Sequence, residues 1–229
     1  ARTMRLLLNG VGNVGRRLLE LLLQKRELLR SRLDLEWVLV GAADRSGAAL
    51  DPAGLDAQQV VQLKLAGRGA AEYPGSGRPA MAGLEMVQAT SADLFLEASP
   101  ANLVDGRPGL PCIELALQRG MHIVTANKSP LVLAYPRLLD LARSSGRQLR
   151  FSATVGGGLP AVNLGQRDLV AAVILRLEGI LNLTSNYILT RMAQDGLTYA
   201  EALAHTQAAG HAETDPRMDV EGWDAANKL

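Results

Sequence analysis

Over the first 150 residues, short apolar runs alternate with longer amphipathic ones, an order that predicts βαβ units gathered into a parallel sheet. Residues 6–9, Leu6-Leu7-Leu8-Asn9, read as the first strand. Beyond a glycine-rich loop at 10–15, Leu18, Leu19, Leu22 and Leu23 recur at helical spacing, with Arg16, Arg17, Glu20 and Lys25 between them, so an amphipathic crossover helix follows. Residues 35–43, 92–98 and 122–126 read as later strands, each running into polar or turn-forming residues, which places the candidate chemistry at strand C-terminal ends. Between the second strand and Asp93, Ala66-Gly67-Arg68-Gly69 and Tyr73-Pro74-Gly75-Ser76-Gly77-Arg78-Pro79 predict surface loops around a short helix, and no function is placed there. The pattern changes past Phe151. Thr154-Val155-Gly156-Gly157-Gly158-Leu159-Pro160 interrupts regular structure, and residues 171–181 form a long apolar, strand-like run. Thr198 and Glu201 predict a capping box opening a helix over 199–209, with Gly210 placed to stop it. The division expected is an α/β, doubly wound domain over 1–150 and a second domain over 151–229.

With 48% hydrophobic residues in 229, the chain can bury a proper core. Lys and Arg number 24 against 23 Asp and Glu, and a net charge of +1 gives no reason to expect nucleic acid or an anionic membrane as partner. Cys112 is the single cysteine, which excludes an internal disulfide framework and suits a reducing compartment, so a cytoplasmic location is expected. The three histidines are scattered and suggest no metal cluster. The N-terminal apolar stretch is far shorter than the roughly 20 residues of a membrane span and reads as a strand rather than a leader. Met4 reads as a candidate start, with residues 1–3 set outside the fold.

Gly10-Val11-Gly12-Asn13-Val14-Gly15 follows a predicted strand and opens a predicted helix, the context that a dinucleotide-binding Rossmann loop requires. The first glycine permits the tight turn, the second lets backbone approach a pyrophosphate, and the third lets helix and strand pack closely. The helix N-terminus adds amide donors and partial positive charge, so Gly10, Gly12, Asn13, Val14 and Gly15 are candidate cofactor contacts. After the second strand stand Asp44, suited to a ribose hydroxyl and hence NAD, and Arg45, suited to a 2′-phosphate and hence NADP; the two cues oppose each other. A third strand runs into Ser99, and a fourth, His122-Ile123-Val124-Thr125-Ala126, into Asn127-Lys128-Ser129-Pro130, which places a lysine at the sheet edge where such folds bind ligands. Farther on, Glu213, Asp215, Asp219, Glu221 and Asp224 surround Lys228. Asp224 and Lys228 are spaced i, i+4 and on a helix would share one face, either as a surface ion pair or as a carboxylate tuning an ammonium.

Val124-Thr125-Ala126-Asn127-Lys128 strongly resembles the signature of homoserine dehydrogenases, and two further motifs follow in family order: Gly179-Ile180-Leu181-Asn182-Leu183-Thr184-Ser185-Asn186-Tyr187-Ile188-Leu189, and the acidic stretch from Gly210 to Lys228. The resemblance spans nearly the whole chain. It implies a Rossmann domain followed by an α+β substrate and dimerisation domain, and NAD- or NADP-dependent reversible hydride transfer between homoserine and aspartate semialdehyde, in threonine and methionine biosynthesis. It further implies Lys128, Lys228 and Asp224 as catalytic residues, Thr184, Glu213 and Asp219 as substrate-binding residues, Asp44, Arg45, Ser99 and Lys128 as cofactor contacts beside the glycine loop, and a homodimer carried by the 171–181 segment. The turn at 154–159 resembles the family's loop for sodium or potassium, with main-chain carbonyls of Val155, Gly157 and Leu159 as ligands.

The chain departs from the family pattern at four places. Ser152 stands where the family has a glutamate ligand for the cation, Leu183 where it has glycine, and His211 where it has tyrosine. Members of the family continue past the position of Leu229, so the substrate domain is expected to be incomplete. Two other readings follow: a non-catalytic nucleotide-binding fragment of the family, and a dehydrogenase acting on a related alcohol or aldehyde.

Overall fold

The computed structural model describes residues 2–229, which fall into two compact units, 2–154 and Val155–Leu229. In the first unit, β1 (Arg2–Asn9), α1 (Asn13–Gln24), α2 (Arg26–Leu33) and β2 (Leu35–Asp44) are followed by β3 (Gly47–Leu55), α3 (Ala57–Leu65), β4 (Gly77–Pro79), α4 (Gly83–Ala89), β5 (Leu94–Glu97), α5 (Gly109–Gln118), β6 (His122–Thr125), α6 (Ser129–Ser144) and β7 (Leu149–Arg150). The strands form one sheet in the order β4-β3-β2-β1-β5-β6-β7. β2, β1, β5, β6 and β7 are parallel, while β3 and β4 add an antiparallel edge, so the sheet is mixed. The chain leaves β1 toward β2 on one side and later returns to β5 on the other. The order therefore reverses at β1, and a crevice opens there at the strand C-terminal ends.

Strand periodicity accounts for the two cores. Leu7, Val40, Phe95 and Ile123 point to one face and pack with Met86, Ile113, Leu117 and Leu138 of α4, α5 and α6. Leu6, Leu8, Leu39 and Leu96 point to the other and pack with Leu19 of α1 and Val60 and Val61 of α3. Each fully buried leucine contributes about 1.5–3 kcal/mol of transfer free energy.

The structure departs from the sequence reading at several places. Arg2 and Thr3 belong to the fold, pairing with Leu35 and Glu36, while Ala1 lies outside the described residues. The region between β2 and β5 is not loops around one helix: it holds two strands and two helices. Its strand residues are small, and pairing with β2 buries Ala48 and Ala49 completely, which overrides their weak strand propensity. Asp56 caps α3 by accepting from Gln58 N at 2.8 Å. The helix read after the glycine loop ends at Gln24, and a separate one starts at Arg26.

The second unit holds α7 (Ala161–Asn163), running into a π-turn at Leu164–Asp168, then α8 (Leu183–Asp195), α9 (Tyr199–Ala208), α10 (Arg217–Val220) and α11 (Trp223–Ala226). The capping box is present, with Thr198 N donating to Glu201 Oε2 at 2.8 Å, and Gly210 takes a φ of +72° just beyond α9. Ile188 and Ala202 bury the contact between α8 and α9. No strand forms over 171–181 among the described residues, whose regular elements in this unit are all helical: Val173 and Leu175 are 82% and 91% exposed. An apolar run becomes a strand only when a neighbour takes its N–H and C=O groups. Among the described residues no helix is long and apolar enough to cross a membrane.

Candidate active site

The loop from β1 to α1 lies at the reversal point of the sheet. Gly10 has a φ of +100°, and a Cβ there would stand 2.3 Å from Ala98 C; a Cβ on Gly15 would stand 2.1 Å from Gly10 O. These two glycines let the turn, β5 and α1 come together. Gly12 differs, since a Cβ on it would meet nothing within 4 Å, and it precedes α1 with no side chain capping the helix. Its backbone and the first amides of α1 line a cleft of about 900 Å³ whose walls include Asn13, Val14, Asp44, Arg45 and Ser99. Uncapped helix N–H groups, a glycine open to the cleft and a volume within the usual range of ~300–1,000 Å³ for ligand sites fit a dinucleotide with its pyrophosphate at the helix N-terminus. Ala80, Met81, Ala82 and Gly83 also line this cleft, in the region where the sequence suggested no function.

Asp44 is already engaged by the protein. Its Oδ1 accepts from Ser46 N at 2.9 Å and Ser46 Oγ at 2.6 Å, and its Oδ2 from Lys64 Nζ at 2.5 Å and Ala70 N at 3.2 Å. Burial pushes this carboxyl up, but the Lys64 and Ser46 donors outweigh it and hold Asp44 below the ordinary carboxylate value. Arg45 beside it is exposed and lines the same cleft.

Beneath the cleft, the C-terminal ends of β1, β5 and β6 bring together Asn9, Glu97 and Asn127, all at most 4% exposed. Asn9 Nδ2 donates to Glu97 Oε2 at 2.7 Å, Ser99 N donates to Glu97 Oε1 at 2.8 Å, and Ser99 Oγ bonds the same oxygen. Asn127 Nδ2 lies 3.3 Å from Ser99 Oγ, while Asn127 Oδ1 accepts from Ser129 N and Oγ. The cluster fixes the turn that leads into α6 and carries Lys128, which is half-buried at the N-cap position of that helix. Sequence reasoning missed Glu97 and Asn9, although a polar residue ending an otherwise buried strand is a readable signal.

Burial pushes the Glu97 carboxyl above its ordinary value of 4.5, against the lowering effect of its donors. A raised folded-state value favours the neutral form, so this contribution to stability is complete below about pH 4.5 and lost as pH rises through the folded value. Thermal unfolding of Glu97→Gln alongside the parent across pH checks this: the parent should lose stability relative to the variant on going from acid toward neutral. A constant difference would mean that Glu97 titrates alike in the folded and unfolded chain.

In the second unit, four of the predicted residues meet. Lys228 Nζ donates to Leu181 O at 2.7 Å and pairs with Asp224 Oδ2. Asp224 lies on α11, but that helix ends at Ala226, so Lys228 reaches its partner from the turn beyond rather than along one helical face. Thr184, 5% exposed, holds its hydroxyl 2.7 Å from both His211 O and Asp219 Oδ2. Asn182, which sequence reasoning left out, donates to both Asp219 and Asp224. Glu213 is exposed, and its main-chain carbonyl accepts from Gln207 Nε2. Leu183 is 67% exposed and leaves the network intact; the His211 ring packs 5.0 Å from that of Tyr187. Val155, Gly157 and Leu159 lie on a turn closed by Leu159 N donating to Gly156 O at 3.1 Å, with Gly157 and Leu159 exposed. Ser152 opens a short 3-10 turn, Ser152–Thr154.

Comparison with known proteins follows the same division. The NAD-binding-domain family of homoserine dehydrogenase matches residues 10–152, and the homoserine dehydrogenase family matches residues 160–229. The chain is 37% identical to a homoserine dehydrogenase of Methanocaldococcus jannaschii over 99% of its own length and 67% of the relative's. It is 36% identical to an NAD(+)-dependent homoserine dehydrogenase of Pseudomonas canavaninivorans, covering 98% of the chain and 64% of that relative. The crystal structure of homoserine dehydrogenase from Thermoplasma acidophilum superposes with a TM-score of 0.77 at 28% identity, covering 99% of this chain and 67% of that one. A hyperthermophilic archaeal homoserine dehydrogenase in complex with NADPH shares the fold, with a TM-score of 0.85 at 24% identity over 99% of this chain and 67% of that one. The chain thus spans about two-thirds of the length of these relatives. With both family patterns matched in order and relatives aligned from end to end of the chain, it belongs to the homoserine dehydrogenase family.

Proposed function

We propose that this chain supplies the nucleotide-binding and substrate-binding parts of an NAD(P)-dependent homoserine dehydrogenase, interconverting homoserine and aspartate semialdehyde. The observation that carries the reading is the Asp219–Asn182–Asp224–Lys228 network, which presents two carboxylates and an ammonium together in a chain that also bears an open dinucleotide loop. The nicotinamide, when bound, exchanges a hydride with the alcohol carbon. The protein's part is to bind, orient and move one proton. Lys228, held by Asp224 and Leu181 O, gives an ammonium proton to the aldehyde oxygen as the alcohol forms and, as the free amine that this leaves, takes the alcohol proton in the opposite direction. Asp219 and Glu213 receive the substrate's ammonium, and Thr184 contributes a hydrogen bond. Lys128, by the family motif that it ends, is assigned to the substrate oxygen. The exposed apolar run through Val173, Leu175 and Leu177 supports assigning this segment to a homodimer contact. Sodium or potassium at the 155–159 carbonyls is an accessory expectation through which no step runs.

The test is homoserine-dependent reduction of NAD or NADP followed by nicotinamide absorbance. Turnover of homoserine supports the proposal, whereas turnover of another alcohol alone contradicts the substrate assignment. Nucleotide binding without reduction under any alcohol would favour the non-catalytic fragment.

NADP is the favoured cofactor in this reading. Both oxygens of Asp44 are occupied by protein donors, which leaves little acceptor capacity for ribose hydroxyls, while Arg45 and Lys64 bring two cations to the same part of the cleft. Lys64→Ala is expected to weaken NADP binding about tenfold, on the order of 1.4 kcal/mol, and to leave NAD binding equal or better. Parallel fluorescence titrations check this, and equal losses for the two cofactors would contradict it.

A further inference from the structure

Asn182 joins parts of the second unit that are far apart in sequence. Its side chain is almost fully buried, at 7% exposure. Oδ1 accepts from Ser185 N at 2.8 Å and so caps α8. Nδ2 donates to Asp219 Oδ1 at 2.7 Å and to Asp224 Oδ2 at 2.8 Å, on residues 37 and 42 positions away. An amide nitrogen carries two hydrogens, and here each goes to a different carboxylate. Two acceptors on one nitrogen lie within about 5 Å of each other, a separation at which carboxylates repel unless donors stand between them. Asn182 stands between them, and the Lys228 ammonium meets the same Asp224 oxygen, Oδ2, that Asn182 does. The contacts run without a break from the Thr184 hydroxyl through Asp219, Asn182 and Asp224 to Lys228 and Leu181 O.

We infer that Asn182 is a positioning residue that sets the distance between the carboxylate receiving the substrate's ammonium and the Asp224–Lys228 pair handling its alcohol proton. The inference rests on the reading of Asp219 and Lys228 given above. A small amino alcohol engages both ends at once only if that distance is held, so the amide acts on substrate binding and on the proton step together. Asn182 contacts neither unit of chemistry itself; it acts through its two carboxylate partners.

Two variants separate this role from simple helix capping. Serine and aspartate cap helices about as well as asparagine. Asn182→Ser retains the cap but is too short to bridge two carboxylates, and Asn182→Asp retains the cap and the shape but replaces two donors with a third negative charge. Positioning predicts that Asn182→Ser unfolds within a few degrees of the parent while kcat falls and the KM for homoserine rises, by about 10–100-fold in kcat/KM. This is the scale of a ~1 Å misplacement. Asn182→Asp should fall further, and nucleotide binding should be unchanged in both. A cap alone predicts full activity in both variants, and that result would overturn the inference.

A second readout needs no turnover. The Lys228 side-chain ammonium, assigned by its loss in Lys228→Ala, should give a slowly exchanging nitrogen signal in the parent and lose it in Asn182→Ser. If the parent chain does not turn over homoserine, the functional reading fails. The ammonium signal then still decides the positioning: its loss in Asn182→Ser supports it, and its persistence overturns it.

Discussion

Replacing Lys228 with alanine is expected to lower homoserine-dependent reduction by about a hundredfold to ten-thousandfold, the range that a positioned general acid–base contributes. The reason is specific to its surroundings. Lys228 is held at two points, by Asp224 and by the carbonyl of Leu181, so its ammonium occupies a defined place rather than sweeping the surface. Nucleotide affinity should not change, because the glycine loop and its cleft belong to the first unit. Lys228→Arg should not restore the rate, since a guanidinium keeps its proton at any working pH and cannot alternate between donor and acceptor. Steady-state rates and a nucleotide titration on the same preparations check the split. Unchanged turnover in Lys228→Ala would remove Lys228 from the proton step.

The glycine loop offers a contrast of comparable size. Gly10→Ala places a Cβ on a residue with a φ of +100° and only 2.3 Å from the backbone of Ala98, so β5 or the turn must move. Strain and overpacking together are expected to cost about 2–5 kcal/mol of stability. Gly12→Ala meets no atom within 4 Å, and its φ of −89° is ordinary for alanine, so folding stability should stay within ~0.5 kcal/mol. The new methyl instead occupies space facing the cleft, and nucleotide affinity should fall tenfold or more. Thermal unfolding and nucleotide titration of the two variants check the contrast. Gly12→Ala binding like the parent would mean that the pyrophosphate does not approach this turn.

What was legible in the sequence follows the range of the interactions concerned. The β1 strand, the glycine turn and α1 were readable because each rests on neighbours a few positions apart, as does the Thr198–Glu201 capping box of α9. The strand β3 was not, because its alanines and glycine carry little strand signal and its pairing with β2 decides its state. Residues 171–181 err the other way: the apolar run is real, but no partner strand among the described residues completes it. Asp44 and Arg45 give opposed cofactor cues in the sequence because the engagement of Asp44 by Lys64, 20 positions on, is invisible to a local pattern. Asn182 was overlooked for the same reason. Its local signal is that of a helix cap, and the two carboxylates that give it a second role come from α10 and α11. The i, i+4 spacing of Asp224 and Lys228 did predict their pairing, although the helix stops short of Lys228 and the pair forms across its end.

Homoserine deuterated at its alcohol carbon, incubated with the chain and NADP, gives the most direct measurement of the proposed reaction. The account predicts reduced nucleotide heavier by one deuterium, formed in step with aspartate semialdehyde and lost in Lys228→Ala. Reduced nucleotide without deuterium, or bound nucleotide that stays oxidised while homoserine is untouched, would contradict hydride transfer from this substrate.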